Sequence, residues 1–174
     1  GETYDHLNFN WFFGDNASID FNPIKIGEIP VSVTGSTMFS QEGCATISTI
    51  EGETLFYTNG ETVYTSGNTV MLNGTGLSSS GTSTQSAIIV PLPTISGNPT
   101  QYFIFTTDFA ENPNGFEWSL VDMELNGGEG MVTSKNNNII PGAVSEKVTA
   151  CCHGSENAYW VITHTSGDTS YYTY

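Results

Sequence analysis

Residues Glu42–Tyr64, EGCATISTIEGETLFYTNGETVY, decide how this chain is read. They predict three short strands. Cys44–Ser48 is small and β-branched, Thr54–Thr58 is aromatic, and Glu61–Tyr64 alternates polar with apolar side chains, with a glycine-containing turn at each junction. The same order recurs twice. Ser86–Val90 leads to Tyr102–Thr106 and Gly115–Asp122, and Thr149–His153 leads to Tyr159–Thr163 and Thr169–Tyr174. Asn10–Gly14 followed by Ile19–Phe21 is a partial earlier copy that lacks the small first strand. The aromatic strands align at Phe12, Phe56, Phe103 and Trp160, at spacings of 44, 47 and 57 residues.

A strand-only repeat of this length points to propeller blades. In such a blade the first strand lies beside a central channel, where side chains must be small, and the outer strands have room for aromatics between neighbouring blades. Ala45, Ala87 and Ala150 occupy matching places in the small strands. The expected fold is therefore all-β, a β-propeller-like array of antiparallel blades and an incomplete, N-terminal portion of one. The 174 residues read as a single domain with repeats near 10–34, 42–72, 85–125 and 148–174. A β-sandwich is the alternative, but it has no reason to repeat the small-then-aromatic order.

The composition excludes several classes of function. Three Lys/Arg (Lys25, Lys135, Lys147) against 18 Asp/Glu give a net charge of −15, so no basic patch can neutralise nucleic-acid phosphates or hold an anionic leaflet. No run of about 20 apolar residues is present, which argues against membrane insertion. The acidity suits solubility or calcium binding, although no D-x-[DN]-x-[DN]-G loop occurs. A start at Gly1 rather than Met fits a mature protein whose export signal has been removed. Asn16-Ala17-Ser18 and Asn73-Gly74-Thr75 match the glycosylation sequon, a pattern that chance supplies in so Asn/Ser/Thr-rich a chain.

Between the repeats, Gly1–Phe9 is a polar lead-in suited to an added edge strand, and Thr69–Leu72 is a fourth strand for the second repeat. Asn73–Gln85, NGTGLSSSGTSTQ, has the composition of a flexible linker. As a phosphate cradle it would need a following helix and a lysine. Gly127–Val148 is longer than its counterpart in the preceding repeat and carries the punctuating Asn136–Asn138. Cys44, Cys151 and Cys152 all fall in or beside the small strands, and an odd number leaves at least one thiol unpaired. Free, buried thiols are expected.

Read together, NWFFG, EGCATIS, LFYTNGETVY, MLNGTGL followed by STQSAIIVPLP, VDMELNGGEGMVTSKN, and SEKVTA followed by YWVITH carry a family resemblance over Asn10–His164. The chain resembles the N-terminal region of large secreted Bacteroidetes proteins of the gliding-motility-associated and type IX secretion sorting-domain kind. That resemblance implies a propeller-like domain on a long polypeptide, secreted or held at the outer cell surface, with adhesin-type repeats and a sorting domain that engages the secretion machinery. The sorting domain is not in this sequence, and TACCHGSENAYW places cysteines where ordinary strand residues are expected. The resemblance supplies no catalytic residues.

Motifs that carry chemistry are correspondingly few. G-x-S-x-G and H-E-x-x-H are absent, as is the sialidase-type aspartate box. His153 and His164 flank an aromatic strand near Cys151 and Cys152, without the paired close spacing of a zinc site. Asp108, Glu117 and Asp122 are the carboxylates that a glycosidase could set across a sugar, and solvated turns are the plainer reading. Trp118, Tyr171, Tyr172 and Tyr174 could stack on sugar rings or fill the space between blades. The function expected is a non-enzymatic, extracellular module of an adhesin-like protein, without a cofactor, that binds protein or polysaccharide. The alternatives are a glycan-active hydrolase and a structural subunit that assembles by strand exchange.

Overall fold

A computed structural model describes residues 8–94, 98–109, 114–154, 158–167 and 169–174. The fold is all-β, as expected, with fourteen strands among the described residues. A first group contains β1 (Asn10–Phe13), β2 (Ala17–Asp20) and β3 (Val31–Val33). A second runs through β4 (Ala45–Ser48), β5 (Thr54–Thr58), β6 (Thr62–Thr65) and β7 (Val70–Thr75). The third is β8 (Ala87–Pro91), β9 (Gln101–Thr107), β10 (Phe116–Asp122) and β11 (Met131–Ile140). The fourth is β12 (Val144–Cys152), β13 (Tyr159–Thr165) and β14 (Tyr171–Thr173).

Each group is an antiparallel meander whose neighbours in sequence are neighbours in space. The second and third are not separate sheets. A parallel bridge between Leu72 and Met131 joins β7 to β11, giving one eight-stranded sheet in the order β4-β5-β6-β7-β11-β10-β9-β8. Side chains reinforce this seam: the Asn73 amide donates to the Val132 carbonyl at 2.7 Å, Lys135 Nζ to the Thr75 carbonyl at 2.9 Å, and the Asn136 amide to the Gly76 carbonyl at 2.9 Å. At the other extreme β4 lies beside β8, so the sheet curls into a nearly closed, barrel-like shape.

Strand alternation assigns the core. On β9, Tyr102 and Ile104 point inside the curl, where they meet Phe56, Val63, Val121 and Val132. Phe103 and Phe105 point the other way and join Phe116, Val144, Val148 and Val161 beneath the fourth group. Phe12 and Met38 pack against Tyr57 under the first group, and the Phe12 and Tyr57 rings stack at 4.0 Å. Three interfaces in succession therefore press one sheet face on the next.

Three local expectations need correction. The Gly/Ser/Thr stretch is no loose linker: β7 extends to Thr75, Leu77 enters the core, and Ser79, Ser83 and Ser86 are buried. Small hydroxyls make this possible by bonding backbone as they are covered. Ser79 Oγ donates to the Thr107 carbonyl and Ser86 Oγ to the Ser83 carbonyl, both at 2.9 Å. Next, Met131–Ile140 is a ten-residue strand where punctuation was expected. Asn136 takes a left-handed φ of 55°, beside a register shift, and the amides of Asn137 and Asn138 bond the carbonyls of Trp118 and Asn114. Finally, the thiols are unpaired, but Cys151 and Cys152 are exposed and only Cys44 is half-buried. The expected edge strand at Gly1–Phe9 falls almost wholly outside the described residues.

Candidate functional site

The first strands of all four groups, β1, β4, β8 and β12, run side by side in that order along one groove of about 1320 Å³. Small residues at Ala45, Ala87 and Ala150 keep its floor open, as the repeated small strands predict. Aromatic side chains of β1, with Phe21 just past the end of β2, form one wall. Trp11 is 53 % and Phe13 37 % exposed, and the Trp11 and Phe21 rings meet at 5.0 Å. Polar side chains line it as well, among them Asn8, Glu42, Gln85 and Thr149; Thr46 Oγ1 accepts from the Phe12 backbone N–H, and Thr84 donates to Glu146 through both its N–H and its hydroxyl. Cys44, Cys151, Cys152 and His153 also line the groove. Burial raises the Cys44 thiol above its ordinary pKa, which leaves it a poor nucleophile.

The three carboxylates separate. Asp122 closes β10, accepts from the Gln101 amide at 2.8 Å and lies at the opposite end of that strand from Glu117. Asp108 and Glu117 come together at the far end of β9 and β10, where Glu117 is paired with Thr106. Both are buried, at 2 % and 8 % exposure. Among the described residues Glu117 Oε2 and Thr106 Oγ1 have no hydrogen-bond partner. Asp108 accepts from the Phe109 N–H and from the Asn114 amide, each at 2.8 Å. Desolvation nonetheless raises its carboxyl above the ordinary value, with the charges of Glu117 and Glu61 adding to the rise and the two hydrogen bonds opposing it. The Ser-rich segment bonds the neighbouring Thr107 through Ser79 Oγ, and neither carboxylate lines the groove.

The aromatic candidates also divide. Trp118 packs edge-on against Phe103 at 5.4 Å in the core beneath the fourth group. Tyr174 leans on Phe116 at 5.9 Å. Tyr171 is 73 % exposed and lies against His164 at 5.4 Å, on the opposite face of β14 from Tyr172. None of the four lines the groove. Of the aromatics that do, which include Trp11, Phe13 and Phe21 with Phe12 and Tyr159, the first three were visible in sequence only as a partial repeat, because strand alternation does not say which face of a terminal sheet stays uncovered. His153 and His164 sit at opposite ends of β13, with the His153 ring 5.2 Å from Trp160. Among the described residues no group of three or more His, Cys, Asp or Glu could hold a metal ion. Among the described residues no helix is long and apolar enough to cross a membrane. No family model, curated protein or solved structure matches the chain.

Proposed function

We propose that the chain is a non-enzymatic recognition module of an extracellular, adhesin-like protein, built as a propeller-type array of four blades, and that its groove binds a neutral polysaccharide. One observation carries the reading: the small-residue first strands of three successive sheet groups converge, with the aromatic strand β1 beside them, on one open groove. Blades that stack face to face around an axis place their first strands in this way. Apolar C–H faces of sugars suit Trp11 and Phe13, and a net charge of −15 disfavours polyanions. The burial of Asp108 and Glu117 weighs against the hydrolase alternative. Secretion and surface display follow from the family resemblance and belong to the same proposal.

The test is an array of neutral polysaccharides probed with the Cys151→Ser chain before and after a bulky maleimide is attached at Cys152. Binding that the maleimide abolishes supports the groove. Binding to protein ligands alone, or binding indifferent to the maleimide, overturns it.

A further inference from the structure

The inner rows of β9 and β10 change chemistry along their length. On β9, Tyr102 and Ile104 face the core of the curl, and alternation places Thr106 next on that face. On β10 the same face runs from Val121 through Ser119 to Glu117, which pairs with Thr106 across the strands. Both rows therefore end on oxygen-bearing side chains that the fold still buries, Thr106 at 1 % and Glu117 at 8 % exposure. Asp108, equally buried, follows Thr106 just past the end of β9.

These oxygens lack partners. Among the described residues neither Thr106 Oγ1 nor Glu117 Oε2 makes a hydrogen bond, and Asn136 Oδ1 on the adjoining strand β11 makes none either. Asn136 is tied to this end of the sheet, since its N–H donates to Ser119 Oγ at 3.2 Å, two residues from Glu117. A threonine hydroxyl opposite a carboxylate is placed to donate to it, and here the two stay unbonded. A buried carboxylate oxygen without a partner costs its desolvation and recovers nothing. The charges acting on Asp108 are those of Glu117 and Glu61, both negative, so they add to that cost. Lys25 and Lys135, two of the three basic residues, are bonded to the carbonyls of Glu51 and Thr75.

We propose that Glu117, Thr106 and Asp108 bind a calcium ion at this end of the curl. Glu117 Oε2 and Thr106 Oγ1 each supply an oxygen, and Asp108, whose two oxygens accept one hydrogen bond apiece, keeps lone pairs for the ion. Two carboxylates and a neutral hydroxyl form an oxygen-only set that suits a hard cation, with waters completing its shell of about six to eight ligands. An ion about 2.3–2.6 Å from each oxygen accounts for a hydroxyl and a carboxylate that face each other without bonding. Only two ligands are acidic, so the set differs from a group of three or more His, Cys, Asp or Glu, of which the described residues hold none. The charge of Glu61 and the net −15 of the chain draw a cation to the site, and the bound ion offsets the repulsion between Asp108 and Glu117. The site is independent of the groove, which none of the three residues lines.

Calcium chloride titrated at neutral pH into the full chain, first stripped with EGTA, tests the site by calorimetry and by thermal melts. The wild type is expected to bind calcium and to gain in Tm as it does so. Glu117→Gln keeps the shape and removes the charge, and Thr106→Val removes the hydroxyl alone. Each is expected to weaken binding by about 10–100-fold, while Asp122→Asn, at the other end of β10, leaves it unchanged. Without calcium, Thr106→Val is expected to melt no lower than the wild type, because it discards an unpaired buried hydroxyl. A purely structural threonine would lower the melt and leave calcium binding alone. Circular dichroism confirms that each variant folds, and Thr106→Val carries the test if Glu117→Gln does not. A titration without heat and an unmoved Tm up to millimolar calcium overturn the proposal. Binding that both variants leave intact overturns it too, as an adventitious ion only, held by the exposed acidic surface.

Discussion

Asp108 illustrates how a single buried group can carry a pH dependence that its neighbours in sequence do not announce. Its carboxyl is raised by desolvation first, then by the charges of Glu117 and Glu61. A carboxyl raised in the folded state binds its proton more tightly there than in the unfolded chain. Stability is therefore lost as pH climbs from the ordinary value of 3.8 through the raised one, and the deficit persists above it. Asp108→Asn removes that titration, and the Asn side chain can still accept from the Phe109 N–H. Thermal melts over this pH range are expected to show a shallower fall for the variant than for the wild type. An unchanged slope would show that Asp108 does not titrate in the fold. The sequence exposed Asp108 as part of an acidic turn. In the fold it is buried at the end of β9, next to Thr107, which the Ser-rich segment bonds through Ser79 Oγ.

At the level of the element, that segment is the clearest gap between composition and structure. Glycine, serine and threonine were read as a flexible connection, which is the usual consequence of having few apolar side chains to bury. Here one leucine and several hydroxyls suffice. Leu77 is 4 % exposed in the core, its N–H bonds the Glu61 carbonyl at 3.0 Å, and the Gly81 N–H bonds Glu61 Oε1 at 3.0 Å. Leu77→Ala is expected to cost about 2–5 kcal/mol in chemical denaturation. A true linker would register almost nothing. Hydrogen exchange should find the amides of Leu77 and Ser79 protected for the same reason. The remaining strands were far more legible. Predicted Thr54–Thr58 is β5 to the residue, and Gly115–Asp122 misses β10 by one. Aromatic and β-branched runs between glycine turns have few other ways to satisfy their backbones. Met131–Ile140 escaped because three consecutive asparagines speak for a turn, and only contact with β7 and β10 supplies the partners that keep them extended.

For the whole molecule, stability should divide along the stack. Among the described residues the fourth group packs on the third through the cluster around Phe116 and Val161. In such quasi-one-dimensional packing a defect is felt mainly by its neighbours. Val161→Ala, at a site 3 % exposed, is expected to cost on the order of 2 kcal/mol and to speed exchange across β12–β14 while β5 and β6 keep their protection. Uniform loss of protection would instead reveal one cooperative unit. The sequence by itself determined the all-β class, the repeated meander and the small first strands, because periodicity, turn residues and side-chain size act over a few residues at a time. Only the tertiary structure decided that the second and third meanders share one eight-stranded sheet, that Asp108 and Glu117 meet while Asp122 stands apart, and that Trp11 and Phe13 wall the groove. Those outcomes depend on which face of each sheet is covered and by what, a condition set by contacts between residues far apart in the chain.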